Sequence, residues 1–320
     1  MTKHFRFPLF IALIALLVPL LVSLLSSCGG DPYASARPVT FQADRADVAE
    51  ADGAEVSVGE NGAVVVTITT GGAYRLSGTC ASGSVVVDCA EDVTLVLEDL
   101  TLTNPAGSCI ASIGEGNLVL YVRAGTESTL TDGAGYVFPN AMTDEPDAVV
   151  FAKNDLTLSG AGDGICHLVA YYKTGAAAKD VLTVTGGNYT ISSVRHGIRG
   201  RDGVSVTGGL LAIDAAADGL RTTNDNPGKE GTVTVSGGVV QIMAGDEGIQ
   251  SVSDVTVTGG EVTIDSTNNG IKSASGTLRV TGGLLSVTAA DEAVIAVDVS
   301  HTGGAFTVDG IAWGEDEDAS

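Results

Sequence analysis

Residues 254–288 read DVTVTGGEVTIDSTNNGIKSASGTLRVTGGLLSVT. An alternating strand ends in a glycine pair, and a second alternating strand follows. Then come a polar pair, a turn glycine and a short apolar return, after which the line starts again. The glycine pairs stand at Gly186-Gly187, Gly208-Gly209, Gly237-Gly238, Gly259-Gly260, Gly282-Gly283 and Gly303-Gly304, in steps of 22, 29, 22, 23 and 21 residues. The long step contains the insertion TTNDNPGKEG. Period-two alternation gives each strand one buried face. The expected inward residues of the second strand are Tyr189/Ile191, Leu211/Ile213, Val240/Ile242, Val262/Ile264, Leu285/Val287 and Phe306/Val308. One such coil cannot bury its own apolar face, whereas stacked coils set like residues in ladders about 4.8 Å apart and build a continuous core. The repeat predicts an all-β fold, a right-handed parallel β-helix (a solenoid) with coils of about 22 residues. A β-sandwich gives no reason for a whole line to recur in phase.

Composition agrees. The 320 residues include 43 glycines, and aromatic residues make up only 5%. Lys and Arg number 16 against 39 Asp and Glu, a formal net charge of −23. Phosphate polymers are repelled by such a surface, which argues against nucleic acid. It favours bound cations, or partners reached through cations.

The first residues read as a targeting segment. Lys3, His4 and Arg6 precede the apolar run Leu9 to Leu25, which ends in Leu25-Ser26-Ser27-Cys28. This resembles a bacterial lipoprotein signal, with Cys28 the lipidated first residue of the mature chain. The expected organisation is a signal over 1–28, a linker over 29–56, the β-helix over 57–311 and an acidic tail over 312–320. The protein is then exported and held by lipid on a bacterial membrane, facing outward. Cys80, Cys89, Cys109 and Cys166 are left, either as two disulfides or as buried free thiols.

Because coils stack, equivalent positions form columns. The pair before the turn glycine runs Arg195-His196, Ala217-Asp218, Asp246-Glu247, Asn268-Asn269 and Asp291-Glu292. A second acidic column follows the turn: Asp155, Asp180, Asp202, Glu230 and Asp254, with Asn224, Asp225 and Asn226 added by the insertion. Two like charges about 5 Å apart at an effective dielectric near 20 cost roughly 3 kcal/mol. Protonation, neighbouring Arg or Lys, or a bound cation relieves this. Ca2+ takes six to eight oxygens in loose geometry and suits the last remedy. The alternative is a set of solvated turn residues. A third column is basic apart from one amide: Arg199, Arg221, Gln250 and Lys272. It either grips carboxylates of an acidic sugar polymer or pairs with the protein's own acidic columns.

The stretches LTDG (130–133, after Ser128-Thr129), DEPDA (144–148), HGIRGRD (196–202), DGLRTTND (218–225), DEGIQS (246–251) and NNGIKS (268–273) resemble the calcium-dependent polygalacturonate-binding carbohydrate-binding domain family. Its members are surface parallel β-helices related to β-helical pectate lyases, and the likeness spans roughly residues 57 to 311. The resemblance implies calcium held by Asp202, Asp218, Asn224, Asp225, Asp246, Glu247, Asn268 and Asn269. It also implies binding of acidic polysaccharide without demonstrated cleavage; if the basic column grips that polymer, Arg199, Arg221 and Lys272 are its substrate contacts. The chain departs from the pattern where His196 stands before its glycine, at Lys173-Thr174-Gly175, and where Ala293 replaces a turn glycine. Two other functions stay open. A polysaccharide lyase would need a base beside the calcium column, such as Lys272 or Arg199. An adhesin-like envelope protein would use calcium only as a stiffener.

Overall fold

The computed structural model describes residues 31–48, 53–59, 62–138 and 144–314. The expected signal with Cys28, and residues 315–320 of the expected tail, lie outside them. The chain divides into two units, Met1–Ala34 and Ser35–Ser320. The described part of the first is one turn, in which the Tyr33 N–H donates to Asp31 Oδ1 at 2.9 Å. The second is a β-solenoid of about ten turns with coils of roughly 23 residues. Among the described residues every regular element is a strand, and no helix is long and apolar enough to cross a membrane.

Three parallel ladders wall the solenoid. One stacks the first strands of the repeat, among them Val181–Val184, Gly203–Val206, Thr232–Val235, Val255–Val257 and Thr277–Val280. The next stacks the strands after the glycine pairs, from Asn188–Ser193 through Leu284–Ala289. These two ladders join in the long strand Val93–Asn104, whose halves pair with Leu118–Val122 and Glu127–Asp132. The third ladder holds short strands: Thr174–Ala178, Ile198–Gly200, Leu220–Thr222, Ile249–Ser251, Ile271–Ser273 and Val294–Ile295.

The expected inward residues are buried, except Val308, which is half-buried in the last coil. Tyr189 fills the core, and its hydroxyl donates to backbone carbonyls of the neighbouring coils. Two kinds of glycine make the coil close. The second glycine of each pair takes positive φ, 81° at Gly238, where a side chain is strained. The turn glycines instead sit against the next coil: a Cβ on Gly219 would lie 2.4 Å from Ile242 Cγ2 and 2.6 Å from the Gly248 carbonyl oxygen.

The structure moves both ends of the expected fold outward. Arg37–Phe41, in the expected linker, is a strand pairing in parallel with Tyr74–Gly78, because Val39 and Phe41 alternate into the core. Ala46–Val48 and Ala54–Val58 then turn back antiparallel, against Arg37–Phe41 and Val64–Ile68 respectively. At the other end Ile311–Ala312 pairs antiparallel with the preceding strand. Trp313, expected in the tail, stacks on Phe306 with ring centroids 4.8 Å apart. The four cysteines are buried free thiols, and burial pushes Cys109 and Cys166 far above the usual thiol range.

Candidate functional site

The polar columns stack in register. Gly197, Gly219, Gly248 and Gly270 each donate their N–H to the carbonyl of the residue before the next turn position, which is a glycine except at Ala293, at 2.9–3.1 Å. This sets His196, Asp218, Glu247, Asn269 and Glu292 one above another. Three residues on, strand pairing aligns Arg199, Arg221, Gln250 and Lys272 on the outer side of the third ladder.

These two columns pair with each other. Arg221 donates to Asp218 Oδ2 at 2.6 Å, and Lys272 donates to Glu247 Oε1 at 2.8 Å. Arg199 reaches two coils back and grips Asp147 through both terminal nitrogens, at 3.0 and 2.6 Å. Lys173 adds a second cation 3.7 Å from Asp147. His196 Nδ1 lies 3.2 Å from Asp218 Oδ2. Arg199, Arg221 and Lys272 thus pair with the protein's own carboxylates.

The carboxylates are buried. Burial works to raise Asp218, but hydrogen bonds and charge from His196 and Arg221 outweigh it and hold the acid at about 2. Burial raises Glu247, opposed by the hydrogen bond from Lys272. His196 is lowered by burial, with Asp218 opposing. One member of the stacked pair is therefore firmly ionised, while its neighbour one coil on takes up a proton more readily.

Asp218, Asp246 and Glu247 bring one carboxylate oxygen each within 4.8 Å of one another. Asn268 Nδ2 donates to Asp246 Oδ1 at 2.7 Å, and Asn269 Nδ2 donates to Glu247 Oε1 at 3.3 Å. The amide oxygen of Asn269 is used by the Glu292 N–H at 3.3 Å. Gln250 Oε1 is buried and accepts no hydrogen bond. The structure thus brings together five of the expected residues: Asp218, Asp246, Glu247, Asn268 and Asn269.

Asp202, Asn224 and Asp225 take other places. Asn224 is buried, donates to Asp202 Oδ1 at 2.8 Å and accepts the Asn226 N–H at 3.1 Å, which pins the insertion to the coil. Asp225 is exposed. Two of the five members of the second acidic column, Asp155 and Asp254, are used by backbone. Asp155 Oδ1 accepts the Val181 N–H at 2.9 Å, and Asp254 Oδ1 accepts the Thr277 N–H at 2.8 Å.

With this geometry in place, the chain can be compared with known proteins. A family model described as carbohydrate-binding domain-containing protein matches residues 62–316. The chain belongs to this family. A carbohydrate-binding domain-containing protein of Acetivibrio thermocellus is 29% identical over 157 residues, 48% of this chain and 52% of that protein. The chain therefore matches about half the length of that curated relative. A polysaccharide lyase-like protein from C. thermocellum, solved as a gadolinium derivative, has a TM-score of 0.67 and 26% identity, covering 78% of this chain and 100% of that chain. This carbohydrate-binding domain shares its polysaccharide lyase-like fold.

Some residues of the domain's charged strip were missed by sequence reading. Asp147 is the anchor of Arg199 and Lys173, yet it sits in DEPDA, outside the repeating line. Tyr136 and Tyr172 stack with centroids 4.2 Å apart, and Phe138 packs beside both. Lys173 Nζ lies 5.1 Å from the Tyr172 centroid, so the aromatic cluster adjoins the charged strip. Tyr136 donates to buried Asp132, whose carboxyl is raised to about 6 by burial.

Proposed function

We propose that this domain binds acidic, uronate-rich polysaccharide through calcium held at Asp218, Asp246 and Glu247, without cleaving it. The observation that carries this reading is the convergence of three carboxylate oxygens on one face, two of them from buried side chains. Hard oxygen donors in loose geometry suit Ca2+, and Gln250 Oε1, buried and without a hydrogen-bond partner among the described residues, lies in the adjoining column. An anionic protein and an anionic polymer need a bridging cation. Family membership supplies the carbohydrate, and the cation-binding geometry of this site supports an acidic class. A lipid anchor at Cys28 would place the domain on the outer side of a bacterial membrane.

The geometry favours binding over β-elimination. A lyase needs an unprotonated base beside the metal. The Lys272 ammonium is raised by its hydrogen bond to Glu247, and Arg199 is held in a two-point ion pair. Affinity electrophoresis on polygalacturonate tests the reading: retardation is expected with calcium and not with chelator. Equal mobility in the two gels overturns it. Release of unsaturated product absorbing in the ultraviolet would restore the lyase.

A further inference from the structure

We propose that Arg221 and Lys272 are internal counter-ions which a bound divalent cation displaces, and that their displacement switches the strip from repelling to attracting an acidic glycan. This rests on the calcium reading above and adds how the metal and the glycan are coupled.

The two halves of each ion pair differ in freedom. The Asp218 and Glu247 side chains are 0% and 3% exposed, whereas Arg221 and Lys272 are 30% and 34% exposed. The carboxylates are fixed in the coil and cannot follow a departing partner. The cations sit at the ends of long arms that already reach solvent. A buried carboxylate stripped of its counter-ion is strongly unfavourable, so Arg221 and Lys272 hold their places only while nothing better charged arrives. A divalent ion among Asp218, Asp246 and Glu247 satisfies the same carboxylates and repels the neighbouring ammonium and guanidinium at close range.

Charge makes the exchange useful. Three carboxylates against Arg221 and Lys272 leave the patch with one net negative charge. Adding a divalent ion makes it one net positive charge, on a chain whose formal net charge is −23. The patch then attracts a uronate carboxylate. The freed heads of Arg221 and Lys272 stand in ladder register two coils apart, about 10 Å, with Gln250 between them. Arg199 provides an internal contrast. Its partner Asp147 is not among the converging carboxylates, and its two-point grip has no reason to open.

Linkage requires that metal and glycan then strengthen each other equally. Calorimetric titration of the full chain with Ca2+, with and without saturating trigalacturonate, measures this. The expected gain in calcium affinity is about fivefold or more. In Lys272→Met the competing ammonium is gone, so calcium should bind about tenfold tighter, while trigalacturonate in saturating calcium binds about tenfold weaker. Arg199→Met should leave calcium affinity unchanged. Lys272→Gln repeats the comparison if Lys272→Met fails to fold, as judged by its melting curve. Unchanged or weaker calcium binding in the Lys272 variants overturns the counter-ion exchange while leaving calcium-dependent binding intact. A wild-type chain that binds no calcium, or no trigalacturonate, overturns the parent reading and the exchange with it.

Discussion

Two acidic columns run along the same solenoid, and they do different work. Before the turn, Asp218 Oδ2 faces His196 and Arg221 and Glu247 Oε1 faces Lys272, while Asp218 Oδ1 accepts the Glu247 N–H at 3.4 Å. After the turn, Asp155 and Asp254 spend theirs on backbone N–H groups of the next coil. A carboxylate that caps a backbone donor is held by hydrogen bonding and has little left for a ligand. One that faces a mobile cation can exchange that cation for another. Residue type is the same in both columns. What separates Asp218 and Glu247 from Asp155 and Asp254 is a basic side chain paired with each at the same height.

The largest break in this contrast should come from Asp218→Ala. It leaves buried His196 and the Glu247 N–H without their acceptor, and leaving buried polar groups unsatisfied costs about 1–3 kcal/mol. Urea unfolding at pH 7 measures the loss. A cost within about 0.5 kcal/mol would place Asp218 among ordinary surface residues.

Acid titration should separate the columns next. The carboxyl of Asp218 is depressed from 3.8 to about 2 in the fold. Its stabilisation is therefore complete above pH 3.8 and is lost as pH falls toward 2. His196, depressed by burial, acts with the same sign below its ordinary value of 6.5. Raised Glu247 acts with the opposite sign and softens the slope. Asp218→Asn should flatten stability against pH below 4, measured by chemical unfolding at successive pH values. A wild-type slope in that variant would remove Asp218 from the acid response.

Asp246→Asn sharpens the ligand side of the comparison. Asp246 is half-buried and bonded to Asn268, with no basic partner among the described ion pairs. Losing one of three converging carboxylates should lower calcium affinity more than tenfold, read by terbium luminescence. Stability without metal should change by no more than about 0.5 kcal/mol.

Much of this was legible in the sequence. The repeat determines which residues share a column, because a stack permits one register once the glycine pairs recur. The core pairs from Tyr189/Ile191 to Leu285/Val287 follow from the same alternation. Side-chain pairing was hidden. Lys272 meets Glu247 of the preceding coil, Arg221 meets Asp218 of its own, and Arg199 reaches Asp147, which is 52 residues back. Those choices depend on arm length and local burial, which periodicity does not carry. The strand Arg37–Phe41 was hidden by the Ala- and Asp-rich segment after it. The Tyr136–Tyr172 stack joins a loop to a coil with no shared period.

Asp254→Ala is the mildest test and the one that guards the comparison. The Thr277 N–H loses its acceptor, and a half-exposed donor can turn to water, so the cost should be about 1 kcal/mol. Calcium affinity should stay at the wild-type value, because Asp254 lies outside the converging carboxylates. A fall in calcium affinity would mean that the two columns share their ions and form one continuous acidic strip. An unchanged affinity with a small loss of stability leaves the after-turn column as backbone support and the before-turn column as the place where charge is exchanged.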